Sequence, residues 1–134
     1  MNGINKKITF LSFFVIFFFL TNKNLYSKYI VKLIGEWEGI NKSYSTKKGY
    51  RTWKKKITIF EQNERIFKGN FKYADGETNF IGVLRSNNKS FYWVSAESKG
   101  YINGEILNKR TIEVCYVEAY KNAAVGCAIL KREK

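Results

Sequence analysis

The chain has 134 residues, 24 of them lysine or arginine against 11 acids, for a net charge of +13, and it contains neither histidine nor proline. Without histidine it lacks the commonest general base, the commonest metal ligand and any Ser-His or Cys-His nucleophile, so no catalytic or metal site is expected. Lys6 and Lys7 precede an apolar run from Ile8 to Leu20, broken only by Thr9 and Ser12, and a polar stretch then ends at Ser27. That order is the n-region, h-region and small-residue cleavage point of a secretory signal over residues 1–27. The run falls short of the ~20 apolar residues of a spanning helix, so export to the periplasm or beyond is expected. The alternative is a hydrophobic helix over residues 8–20 that stays as a membrane anchor. Removal of 1–27 takes away Lys6, Lys7 and Lys23 and no acid, which lowers the net charge from +13 to +10. Residues 28–134 then make one small domain with a single core.

From residue 35 onward the pattern is strand, turn, strand, with glycine, asparagine and aspartate supplying the turns. Strands are expected at about 35–44, 50–61, 65–73, 78–84, 90–96, 101–107, 110–117 and 123–131. In the second, Trp53, Ile57 and Ile59 share a face. In the third, Phe67, Gly69, Phe71 and Tyr73 alternate with Lys68, Asn70 and Lys72, which is the pattern of a half-buried strand. Gln62-Asn63-Glu64 and Ala74-Asp75-Gly76-Glu77 read as turns. Asn103-Gly104 offers a further turn that would split the sixth strand. Eight short antiparallel strands leave exposed edges unless the meander closes on itself. The expected fold is therefore all-β, an eight-stranded antiparallel up-and-down barrel, with an open two-sheet sandwich as the alternative. An eight-stranded barrel is filled by its side chains or holds one small ligand.

Cys115 and Cys127 lie equally far from Lys121, so a chain reversal there sets them opposite each other on adjacent strands. In an exported chain they are expected to form a structural disulfide, and no C-x-x-C motif suggests redox work. Carboxylates are scattered singly. Glu36 and Glu38 share a strand face and read as solvated surface, and no glycine-rich phosphate loop is present. A non-enzymatic protein without cofactor is the expectation. Trp53, Phe71 and Trp93 are candidate walls for a small apolar or amphipathic ligand in the barrel mouth. Lys47, Lys48, Arg51, Lys54, Lys55 and Lys56 form a basic stretch interleaved with Tyr44, Tyr50 and Trp53. Displayed on a filled barrel, the hairpin from Lys42 to Lys56 would instead contact anionic lipid, polymer or protein of the cell envelope. Export disfavours nucleic acid as the partner.

Gly35-Glu36-Trp37-Glu38-Gly39 opens the first strand, and a G-x-W motif at the head of an eight-stranded meander resembles the calycin barrels, the lipocalins and avidins. The resemblance implies that Gly35 and Trp37 close one end of the barrel. A basic residue of the last strand, Lys131 or Arg132, would stack over the indole. In the avidin pattern an asparagine two residues after the tryptophan and a serine four further on contact the ligand. This chain has Gly39 and Ser43 there, so the resemblance implies Ser43 as a ligand contact and departs from biotin binding. Ile112-Glu113-Val114-Cys115-Tyr116 with Val125-Gly126-Cys127 also resembles small exported bacterial proteins of unassigned activity. These share the G-x-W-x-G opening and an E-x-C-Y segment, and the resemblance implies no catalytic residue.

Overall fold

The structure is a computed structural model that describes residues 29–73 and 76–134. The expected export signal or anchor helix within residues 1–27 lies outside them, as do Ala74 and Asp75 of the third expected turn. Among the described residues eight strands follow in order: β1 (Gly35–Ser45), β2 (Gly49–Asn63), β3 (Ile66–Tyr73), β4 (Gly76–Leu84), β5 (Ser90–Val94), β6 (Tyr101–Asn108), β7 (Thr111–Glu118) and β8 (Ala124–Arg132). Each pairs antiparallel with the next, and β8 returns to β1 over nine residue pairs, so the barrel is closed. That closure rules out the open sandwich. Strand bounds fall within two residues of expectation, and β6 runs unbroken through Asn103 and Gly104.

One turn is displaced. Gln62 and Asn63 belong to β2, and the reversal comes at Glu64, which adopts φ 50°. A register shift between Ile59 and Glu61 sets Gln62 opposite Phe67, on the inner face. There its amide accepts a hydrogen bond from the Leu33 amide (2.8 Å) and donates to the Val31 carbonyl (2.8 Å). Residues 29–34 are thereby held as a strap across this end of the barrel, with Leu33 buried in the core and the Tyr29 carbonyl accepting from Asn88.

The register sorts the side chains. Trp37 faces Ile57, Phe71 faces Thr78, and Trp93 faces Ile102, so these lie inside. At the strapped end the interior is filled by rings: Phe67 meets Phe91 edge-on at 5.8 Å, and Phe80 stacks on Trp93 at 4.5 Å. Inward glycines make the room. A Cβ on Gly104 would stand 2.1 Å from the Phe91 ring, and one on Gly82 2.3 Å from the Phe67 ring. Each ring therefore lies over the bare backbone of the neighbouring strand, a close approach that only glycine permits.

Outside, Glu36 pairs with Lys56 (2.8 Å), Glu38 with Lys54 (2.5 Å) and Glu61 with Lys68 (3.0 Å). These ion pairs share the outer face with exposed apolar side chains, among them Ile40, Phe60, Ile81 and Ile129. Cys115 and Cys127 are register partners on β7 and β8 and form the expected disulfide, with Cα atoms 4.1 Å apart. On the chain-entropy view such a short closed loop contributes roughly 3 kcal/mol.

Candidate functional site

The two ends of the barrel differ because their inner residues differ in size. At the strapped end Trp37 is buried, and its indole N–H donates to the Leu33 carbonyl (2.9 Å). The Arg132 guanidinium lies 4.4 Å above the indole and donates to the Lys32 carbonyl (2.7 Å). Lys131 pairs in register with Glu38 on the outer face, so Arg132 is the residue of β8 that covers Trp37. Gly35 bends into this corner with φ 139°, a backbone region that favours glycine.

Towards the opposite end the inner face turns small: Ser43 and Ser45 on β1, Ser95 after β5, Gly100 before β6, and Ala124 and Gly126 on β8. The missing volume is a cavity of about 430 Å³. The β1–β2 connection contributes Lys48 and the β5–β6 connection Glu97 and Ser98 to its lining, so its mouth lies at this end of the barrel. All four expected ligand contacts, Trp53, Phe71, Trp93 and Ser43, line it. Trp93 sits at its inner limit, stacked against Phe80 and Phe91.

The basic stretch is corrected. Its residues alternate between the faces of β2, because side chains of a strand point to opposite sides in turn. Lys54 and Lys56 face out onto the carboxylates of Glu38 and Glu36. Cross-strand pairing with β1 thus supplies the acids that the linear stretch lacks. Lys55 faces in and is only 4% exposed, while Arg51 and Lys48 line the cavity nearer its mouth. The six cations do not form one surface.

Lys55 is the unexpected member of the site. Its Nζ lies 5.7 Å from the Trp53 ring centre and 5.6 Å from that of Phe71. Burial lowers its pKa from 10.5 to about 8, since an ammonium loses hydration that two aromatic faces only partly replace. Among the described residues it has no carboxylate partner. Asn41 on β1, opposite Trp53, is 3% exposed, lines the same cavity and makes no side-chain hydrogen bond to a described residue.

Other polar groups of the lining are satisfied locally. The Thr78 and Ser95 hydroxyls share a hydrogen bond (2.8 Å), and the Tyr116 hydroxyl meets Ser98 (2.8 Å) and donates to the Glu118 carboxylate. Burial first, and the Glu118 carboxylate second, push the Tyr116 pKa up to about 12. Among the described residues no group of three or more His, Cys, Asp or Glu side chains is placed to hold a metal.

Sequence reasoning left Asn41 and Tyr116 out of the site and counted Lys55 with the displayed basic hairpin. The signal for Lys55 was available: with Trp53, Ile57 and Ile59 on one face, the odd-numbered residue among them must share it.

By its geometry the chain is an eight-stranded, closed, antiparallel β-barrel with one end filled and one end hollow. No protein-family model matches the sequence, and no curated protein does. Among solved structures it is similar to a redesigned β-barrel, with 9% identity and a TM-score of 0.49 over 76% of this chain and 92% of that one. It is also similar to a de novo designed fluorescence-activating β-barrel, with 16% identity and a TM-score of 0.47 over 81% and 97% of the two chains.

Proposed function

We propose that the protein is an exported, non-enzymatic binding protein of calycin type that holds one small apolar or amphipathic molecule in the hollow end of its barrel. The cavity carries this reading: about 430 Å³ lies within the usual range of ligand pockets, and Trp53, Phe71 and Trp93 wall it. The stack of Arg132 on Trp37 at the filled end supports the calycin comparison. Titration with decanol should give a saturable change in tryptophan fluorescence, because two of the three tryptophans line the cavity. Ser43→Phe, which fills the space opposite Gly126, should abolish it. An unsaturable response, or one that Ser43→Phe leaves intact, would sink the reading.

A second reading rests on the rim. Tyr50 is 89% and Tyr120 85% exposed, each beside a turn carrying Lys47 or Lys121. Hydrogen bonds from Thr46 to the Lys121 and Ala123 carbonyls (both 3.0 Å) join the two turns. Exposed tyrosines among lysines suit the headgroup layer of an anionic membrane. Cosedimentation with phosphatidylserine vesicles should weaken with salt and fall severalfold in Lys47→Glu/Lys121→Glu. Binding that ignores both changes would exclude the rim.

A further inference from the structure

We propose that Lys55 and Asn41 form an anion-receiving site inside the barrel, and that the molecule bound there is an acidic amphiphile whose single carboxylate points inward. This deepens the binding reading above and rests on it.

Two polar side chains, each more than nine-tenths buried, line the cavity without a hydrogen-bond partner among the described residues. Buried polar groups in native proteins are normally paired, with protein or with water, so these two heads on one cavity wall take their partner from whatever fills the cavity, and an anion competes there with water. One acceptor can serve both. An ammonium donates only, and the Asn41 amide can turn its NH₂ to the same group, leaving its oxygen to accept from Lys55 or from the ligand. Gly39 is the register partner of Lys55, and Asn41 is the next inward residue on β1. No side chain from Gly39 therefore stands between the two donors. The counter-group is an acceptor with negative charge.

Its net charge is set by the surroundings. Lys55 is the one cation at this depth among the described residues. Lys48 and Arg51 lie nearer the mouth on the same side, while Glu97 and Glu118 line the cavity from the β5–β6 connection and from β7. A monoanion matches a single ammonium, whereas a dianion would carry excess charge into an aromatic chamber. The rest of the lining accepts an apolar body, since Trp53, Phe71, Trp93 and Ile102 surround it.

The pH dependence follows from the groups facing the cavity. In the empty cavity Lys55 loses its proton as the pH rises through about 8, and a bound carboxylate moves that loss upward, so the ion pair weakens above pH 8. Tyr116, with its pKa at about 12, keeps its proton over that range. A neutral ligand of equal length has no such pair to lose.

The test compares decanoate with decanol on the folded protein by calorimetric titration, from pH 6.5 to 9.5. Decanoate should bind at least about tenfold more tightly at the low end, the size of effect that a charged hydrogen bond gives. That preference should vanish at the high end. Lys55→Met should bring decanoate down to the level of decanol or below it at every pH, because the carboxylate then enters without a counter-charge. Equal affinities with no pH dependence in the unsubstituted protein would overturn the anion site and leave the apolar cavity standing. Binding of neither probe would overturn the cavity reading itself. Should Lys55→Met fail to fold, the pH series on the unsubstituted protein decides alone.

Discussion

Replacing Trp37 by alanine is expected to remove about 3–5 kcal/mol of stability, a large share of what a domain of this size possesses. The side chain is 1% exposed, so its loss leaves a cavity that the surrounding rings cannot close. It also deprives Arg132 of the face it lies on and the Leu33 carbonyl of its donor. The strap over residues 29–34 is then held by Gln62, Asn88 and the Arg132 bond to the Lys32 carbonyl. Trp53→Ala is the control. That tryptophan borders existing empty space, so its truncation should cost about 1–2 kcal/mol. Urea denaturation of both variants measures the difference. Equal losses would mean that the two ends of the barrel are equally packed, against the geometry described.

The contrast between the ends shows what was legible in the sequence. Strand alternation, such as Phe67-x-Gly69-x-Phe71-x-Tyr73, specified strands and faces, and edge avoidance favoured closure over an open sheet. The cysteine spacing located a register, because two residues equidistant from a turn must meet across it. The G-x-W opening marked Trp37, and the basic residue over it was narrowed to two neighbours. Period-two geometry chooses between them: Arg132 shares the face of Trp37, and Lys131 does not.

What stayed hidden depended on pairing. The cations at 54 and 56 meet Glu38 and Glu36 only through the β1–β2 register, so a run of lysines looked like one exposed patch. Lys55 broke the expectation that charge lies outside, although the parity of its neighbours placed it within. The strap was invisible because Gln62 turns inward only after a bulge. Cavity size was hidden too, since it depends on small residues from β1 and β8 with Ser95 and Gly100 converging at one depth.

Lys55→Met gives the second large effect, and it has the opposite sign. The unfolded lysine keeps its proton to about pH 10.5, and the folded one only to about 8. Between those values the unfolded chain binds more protons, so this residue's burden on the native state is relieved as the pH rises. Below pH 8 both states are charged and the full desolvation cost is present. A shift of that size corresponds to about 3 kcal/mol. The ligand-free Lys55→Met protein should therefore be more stable than the parent by about that amount at pH 7. The gain should shrink steadily between pH 8 and 10.5. Thermal or urea unfolding of the pair across that range cancels the other titrating groups, which both proteins share. A methionine variant less stable than the parent at pH 7 would show that the ammonium is well solvated where it stands. A stability gain at the expense of carboxylate binding is the expected signature of a residue retained for a ligand.

Native mass spectrometry of the protein purified from an exporting host, without reductant, tests the binding reading most directly. The expected result is a mature chain beginning at Lys28, two hydrogens lighter than its dithiol form, carrying one small molecule that denaturation releases. A chain that comes bare and takes up neither decanoate nor decanol when offered would contradict a ligand-holding barrel.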